Sequence, residues 1–166
     1  MATAEMLRPY VEQKIAEYLG LEKLTKDDDG DIPIKAGSAV CFARVFDSAN
    51  GPVFRAFSPL LLDVAKSEQL LDRLNELNQT SHYVRYFWQS EQVFCAVDLP
   101  AEDLQPGDIH IALLAVSVNA DRFDDELKGV FGGRRMIEDE EPPKPDGTDA
   151  GGEDDAKPAE SDTAYL

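Results

Sequence analysis

The chain of 166 residues has few of the side chains on which catalysis usually depends. It contains two histidines, His82 and His110, and two cysteines, Cys41 and Cys95, with no Cys-x-x-Cys pair. The chain therefore lacks the residues for a disulfide framework, for most metal sites and for most nucleophile–base pairs. It also has no glycine-rich loop before a helix, the arrangement that binds phosphate. These absences predict no cofactor, no metal site and no catalytic residue, and hence a protein that is not an enzyme.

Positive charge and long apolar runs are also scarce. The chain has 16 lysines and arginines against 33 aspartates and glutamates, a net charge of −17, which repels nucleic-acid phosphates. No apolar run of about 18 residues is available to span a bilayer, and the first residues lack the order of a signal peptide. We expect no nucleic-acid or membrane partner, and the cysteines inside apolar runs favour a cytoplasmic location.

The acidic residues divide the chain into two parts. Residues 138–166, the acidic segment, hold eleven acidic and two basic side chains, four prolines and almost nothing apolar before Tyr165 and Leu166. Such a composition cannot bury enough surface to offset the entropy lost on ordering. We predict one domain over residues 1–133 and a disordered acidic tail over residues 134–166. The tail either only solubilises the chain or competes weakly for a surface of the domain.

Hydrophobic periodicity predicts an α+β domain, with elements in the order α-β-β-β-α-β-β-α and an antiparallel sheet of about five strands. The first helix should begin at Leu7 or Arg8, because Pro9 fits only a first helical turn, and should end at Gly20. Pro33 lacks a donor for a central strand and therefore predicts an edge position or a bulge for the first strand. Asn50-Gly51 and Ser90-Glu91 mark two hairpins.

The last predicted helix is about 25 residues long and is apolar on two sides. One side steps by three and four residues from Ile109 to Val130 and faces the sheet. The other carries Ile111, Leu114 and Val118. A helix with two apolar sides needs two partners, so either the first helix covers this second side or a second subunit does, in a homodimer.

Alternate residues of a strand point to opposite faces of a sheet, which allows each strand to be divided by parity. One resulting face is free of charge, and the other has an arginine in the middle of three strands. The predicted second hairpin pairs Arg85 with Ala96 and Tyr83 with Asp98. The arginine-bearing face comprises Phe42, Arg44, Phe46, Arg55, Phe57, Tyr83, Arg85, Phe87 and Phe94.

This mixture of arginines and aromatic rings indicates a surface that is neither fully buried nor fully exposed to solvent. An unpaired buried guanidinium costs several kcal/mol, whereas a large exposed apolar patch is typical of a binding surface. Three explanations stay open. The arginines pair with the domain's own acids, such as Asp98; a bound peptide supplies apolar anchors and carboxylates; or a second subunit covers the face.

The order of elements and several segments resemble the type III secretion chaperones and the YbjN-like proteins, which are peptide-binding chaperone-like domains. The segments that carry the resemblance are residues 70–78 (Leu-Leu-Asp-Arg-Leu-Asn-Glu-Leu-Asn), 84–88 (Val-Arg-Tyr-Phe-Trp), 97–100 (Val-Asp-Leu-Pro), 124–127 (Asp-Asp-Glu-Leu) and 131–133 (Phe-Gly-Gly). The resemblance spans about residues 5–133 and includes no catalytic motif.

The resemblance implies a small, acidic, cytosolic and often dimeric domain that holds a partly unfolded segment of a client protein. Together with the strand faces, it leads us to expect a non-enzymatic chaperone or adaptor that binds a client protein or peptide segment on the arginine-bearing face. The alternative is a regulatory or structural dimer whose sheet face binds a dedicated folded partner.

Overall fold

A computed structural model of the chain describes residues 2–137 as a five-stranded antiparallel sheet with three helices. The elements are α1 (Ala4–Leu19), β1 (Ile32–Ala36), β2 (Ala39–Ser48), β3 (Gly51–Leu61), α2 (Glu68–Thr80), β4 (Arg85–Gln89), β5 (Gln92–Pro100) and α3 (Pro106–Phe131). The strands lie in the order β1-β2-β3-β5-β4. This confirms the predicted α+β architecture and element order.

The three helices share one hydrophobic core with one face of the sheet. The strands contribute small buried residues, among them Cys41, Ala43, Ala56 and Cys95, which allow α3 to approach closely. Burial raises the pKa of the Cys41 thiol to about 12, so the thiol stays protonated at neutral pH. The uncharged face predicted from strand parity is therefore the face that meets the helices.

Helix α1 begins earlier than the sequence predicts. Thr3 caps it by accepting a hydrogen bond from the Met6 N–H, and Pro9 lies inside the helix. The first turn is held from outside, because the Ala4 N–H donates to Asp47 Oδ1 at 2.8 Å. Proline has no N–H, so one carbonyl of the preceding turn has no helical donor. Pro9 is exposed, and water can donate a hydrogen bond to that carbonyl instead. The end of the helix is as predicted, at Gly20 with φ 66°.

Both hairpins form, and their registers are now defined. In the second, Arg85 lies opposite Ala96 and Phe87 opposite Phe94, as predicted. In the first, Arg44 and Arg55 lie directly opposite each other, which the sequence left open. β1 is an edge strand, as its proline requires, and β3 continues to Leu61 through an irregular register after Pro59.

The last turn of the described chain returns to the sheet. After α3 ends, Arg134 exchanges two backbone hydrogen bonds with Leu62, at 2.8 and 2.9 Å. The predicted domain boundary at residue 133 stays a prediction, and the predicted disordered tail lies outside the described residues from residue 138 onward.

On α3, the second apolar side is not covered by α1. Ile111, Leu114 and Val118 are 52%, 46% and 56% exposed. They form a stripe at helical spacing, and we call it the α3 stripe.

Candidate binding surface

The sheet face turned away from the helices is a candidate binding surface. Within residues 2–137, the helices and the other face of the sheet form the hydrophobic core. No side chain of this face belongs to that core or packs against it. We call this surface the open face. It consists of Pro33, Lys35, Val40, Phe42, Arg44, Phe46, Val53, Arg55, Phe57, Arg85, Phe87, Phe94, Ala96 and Asp98.

A row of phenylalanine rings crosses four strands of the open face. Phe42 and Phe57 are cross-strand partners with ring centroids 5.3 Å apart, and Phe87 and Phe94 are partners at 5.4 Å. Phe57 and Phe94, 6.5 Å apart on β3 and β5, join the two pairs. Because the strand register brings these rings together, the row is built into the sheet and needs no partner to form.

Two arginines of the open face lie over rings of this row, and the third, Arg55, lies over Phe46 at 4.9 Å. The guanidinium carbon of Arg44 is 4.5 Å from the centre of the Phe57 ring, and that of Arg85 is 4.8 Å from the Phe87 ring. The positive charge is attracted to the ring quadrupole, and the arginine stem covers part of the apolar surface. The face therefore alternates flat apolar surface with fixed donors.

Two of the arginines share one carboxylate. Arg55 and Asp98 are directly opposite on β3 and β5, and Arg55 Nε and Nη2 donate to the two Asp98 oxygens at 2.6 and 2.8 Å. Arg85 Nη2 donates to the same carboxylate at 2.6 Å. Partial burial disfavours ionisation of Asp98, but the two guanidinium groups outweigh it, and the pKa of Asp98 lies below its ordinary value.

The third arginine, Arg44, pairs with Asp31 at the start of β1. Burial and the neighbouring Asp27 and Asp29 raise the pKa of Asp31 above its ordinary value, against the opposing effect of Arg44. The arginines thus pair with the chain's own acids, which was one of the three explanations left open. Asp98 matches two of them with a single negative charge, so the open face keeps an excess of positive charge.

Two of the predicted residues take positions that differ from the rest. β4 begins at Arg85, so Tyr83 lies in the loop before it, 72% exposed, and is not paired with Asp98 in the described sheet. The chain is still turning out of α2 at this point, because the Val84 N–H donates to the Ser81 hydroxyl at 3.2 Å. Phe42 is only 6% exposed. It supports the Phe57 ring and offers little surface of its own.

A cleft of about 300 Å³ opens on this face between the aromatic row and the second hairpin. Phe57, Phe87 and Phe94 form its floor, and polar residues form its rim. Sequence reasoning missed the rim residues Gln89 and Gln92, although both follow the parity of the open face. It also missed Asp31 as the partner of Arg44, because that pairing depends on the register between β1 and β2, which the pattern of neither strand contains.

Within residues 2–137, no three histidine, cysteine, aspartate or glutamate side chains gather as metal ligands. None of the helices over the same residues has the length and apolar character needed to cross a membrane.

Comparison with solved structures identifies relatives of the fold. A chain of the ExsC–ExsE complex matches with a TM-score of 0.54 and 16% identity, over 74% of this chain and 93% of that one. A chain of the HopA1–SchA chaperone–effector complex matches with a TM-score of 0.52 and 14% identity, over 73% and 94%. At such identities the likeness shows the fold alone. Comparison with curated proteins gives no match.

A family model shows the family to which the chain belongs. The model of the family TY-Chap1, described as "T3SS (YopN, CesT) and YbjN peptide-binding chaperone 1", matches residues 5–139. The match covers α2, α3, all five strands, and α1 from its second residue onward. The chain belongs to this family of peptide-binding chaperones.

Proposed function

We propose that this protein is a non-enzymatic chaperone or adaptor that holds an extended client segment on the open face. The single observation that carries the proposal is the aromatic row with arginines laid over it, on a sheet face that no described helix covers. The HopA1–SchA structure supports it, because that is a complex of a chaperone with an effector. Exposed aromatic and arginine side chains are the residue types that anchor protein interfaces.

The chemistry of the face defines the client segment that would fit. Apolar side chains of the client would lie on Phe57, Phe87 and Phe94, and carboxylates would accept from the guanidinium groups beside them. Arg85 is the best placed of these, because its side chain is 49% exposed and shares Asp98 with Arg55. A segment that alternates apolar and acidic residues is therefore the preferred client.

Two labelled peptides test this preference. One alternates leucine with aspartate over twelve residues, and the other alternates leucine with lysine. The protein carries a net charge of −17, so non-specific attraction would favour the lysine peptide. We expect the reverse order of affinity by fluorescence anisotropy, because the open face contributes the contacts. Stronger binding of the lysine peptide would contradict the proposal.

A matched pair of charge reversals locates the binding. Arg85 lies over Phe87 on the open face, and Arg122 lies over Phe123 at 5.0 Å on α3. Arg85→Glu and Arg122→Glu change the net charge equally. We expect Arg85→Glu to weaken binding of the aspartate peptide about fivefold, which corresponds to about 1 kcal/mol, and Arg122→Glu to leave it unchanged. Equal effects would show that total charge and not the open face governs binding.

We also propose that the α3 stripe is the contact between two copies of the chain. No residue from Ile111 to Val118 is charged, so two copies of the chain can meet along the stripe without like-charge repulsion. Leu114→Glu should shift the mass measured by light scattering from dimer to monomer. Val130→Glu is the matched control, because Val130 is an exposed apolar residue of the same helix outside the stripe. A monomeric unmodified protein would refute this contact.

A further inference from the structure

The open face is the positively charged part of a negatively charged surface. Residues 1–137 carry 22 acidic and 14 basic side chains. The open face together with Asp31 has a net charge of +2, from Lys35, Arg44, Arg55 and Arg85 against Asp31 and Asp98. The remainder of residues 1–137 therefore has a net charge of −10. An acidic chain near this domain is therefore attracted to the open face and, on balance, repelled by the remainder of residues 1–137.

The acidic segment is such a chain, and it starts beside this face. The last described residue, Ile137, lines a cleft at the β1 edge of the sheet, between β1 and the end of α1. Its lining combines open-face residues, namely Pro33, Lys35 and Val40, with residues of the helix side, among them Leu19, Leu24 and Ile34. Residues 138–166 follow directly and carry a net charge of −9. The first four of them are Glu-Asp-Glu-Glu. Negative charge thus enters at the edge where the open face begins.

The distances allow the whole face to be reached. Five strands spaced about 4.8 Å apart place β4 about 19 Å from β1. A segment of 29 residues can span up to about 100 Å when extended, so its acidic residues reach Arg85 with length to spare. Tyr165 and Leu166 can reach the phenylalanine floor of the cleft as well. A tether of this kind gives an effective concentration of about millimolar order, at which even weak contacts would be populated.

We propose that the acidic segment, residues 138–166, occupies the open face of its own chain and competes there with clients. The competition rests on the proposed function, whereas the occupancy does not. The segment has the chemistry that the face prefers in a client, namely many carboxylates and a few apolar residues. A segment bound for nine-tenths of the time would lower the apparent affinity for a client about tenfold.

A spin label on the acidic segment measures the occupancy in the full chain. Cys41 and Cys95 are fully buried, so a cysteine introduced as Ser161→Cys is labelled selectively. We expect amide signals of Phe57 and Phe94 to broaden at low salt, to recover at high salt, and to recover with Arg85→Glu. The control Arg122→Glu should leave the broadening in place. Broadening spread evenly over both faces, or centred on the helices, would overturn the proposal.

The competition is measured with the leucine–aspartate peptide. In a full-length variant, each aspartate and glutamate of residues 138–166 is replaced by asparagine or glutamine. We expect this variant to bind the peptide about three to ten times more tightly than the unmodified chain at low salt. Unchanged affinity would overturn the competition. If the label broadens signals of the open face but no variant binds the peptide, the proposed function fails and the occupancy stands. If the peptide binds but the label does not broaden signals of the open face, the occupancy alone is rejected.

Discussion

Replacing Asp98 by asparagine should have opposite effects on folding and on binding. The Asp98 carboxylate accepts three hydrogen bonds from two guanidinium groups, two from Arg55 and one from Arg85. Asparagine has nearly the same shape but no charge, and its amide nitrogen has to face a donor. Asp98→Asn therefore leaves two arginines without a counter-ion on the open face.

The loss of stability is moderate because the three side chains are partly in water. Charge-assisted hydrogen bonds contribute about 1.5–3 kcal/mol when sheltered, and exposed ion pairs contribute about 0–1 kcal/mol. The side chains of Arg55 and Asp98 are 28% and 30% exposed, and that of Arg85 is 49% exposed. We expect Asp98→Asn to lower the free energy of unfolding by about 1 kcal/mol, measured by urea denaturation at pH 7.

The pH dependence identifies the carboxylate as the cause. The pKa of Asp98 is lowered in the folded chain, so its stabilising effect is complete above the ordinary aspartate pKa of about 3.9. The effect declines as the pH falls through the lowered folded pKa. The unmodified chain and Asp98→Asn should therefore differ fully at pH 7 and converge in acid. A difference that persists unchanged in acid would refute the electrostatic reasoning.

The same variant should bind the leucine–aspartate peptide more tightly. Removing Asp98 adds one net positive charge where the client's carboxylates would lie, which we expect to increase affinity about threefold, or about 0.7 kcal/mol. The matched control is Asp63→Asn, because Asp63 pairs with Arg134 at 2.5 Å outside the open face. Weaker binding with Asp98→Asn would refute the view that arginines of this face bind carboxylates.

Three further substitutions test the contacts that support the sheet. Burial raises the pKa of Asp124, so the stability of the unmodified chain should fall as pH rises from about 4 through that raised pKa, and Asp124→Asn should reduce this slope in urea titrations to the part that Asp31 contributes. Gly37 has φ 60°, and a Cβ there would meet Asp121 Oδ1, so Gly37→Ala should cost about 2 kcal/mol of unfolding free energy; no loss would contradict this. Asn78 holds the backbone of Tyr86 with two hydrogen bonds, at 2.7 and 2.9 Å, so Asn78→Ala should destabilise the chain by about 1–3 kcal/mol and produce concentration-dependent light scattering.

The sequence contains much of the fold because the fold depends on local periods and on turns. Two-residue parity separated the core face from the open face, and the Ser90-Glu91 turn set the register of the second hairpin. The first hairpin register was not predictable, because its longer turn region allows several pairings. The structure resolves it by pairing Ser48 with Gly51, which brings Arg44 and Arg55 opposite each other.

The features that were missed depend on contacts between distant residues. Helix α1 begins before its proline because Asp47, on another element, holds the first turn. The pairing of Arg44 with Asp31 follows from where β1 starts, and the periodicity of either strand does not contain that information. The burial of Phe42 likewise depends on the position of its neighbours across the strands. Such contacts need the assembled sheet before they can be recognised.

The edges of the sheet favour binding through side chains on the open face over addition of a client strand. At the β1 edge Pro33 has no N–H to offer, and at the β4 edge Asn78 already occupies both backbone groups of Tyr86. β1 pairs with β2 only as far as Ala43, which leaves the rest of that β2 edge without a neighbouring strand. There Arg8 donates a hydrogen bond to the Val45 carbonyl at 3.3 Å.

A leucine–aspartate peptide that is N-methylated at every second residue separates these two modes. N-methylation removes donors that an added strand would need but leaves the side chains in place. We expect the affinity of the methylated peptide to stay within about threefold of the parent, since the proposed contacts involve rings and guanidinium groups. Loss of binding on methylation would show that the client pairs with an edge, and the open face would then lose its assigned role even if Arg85→Glu weakens the complex.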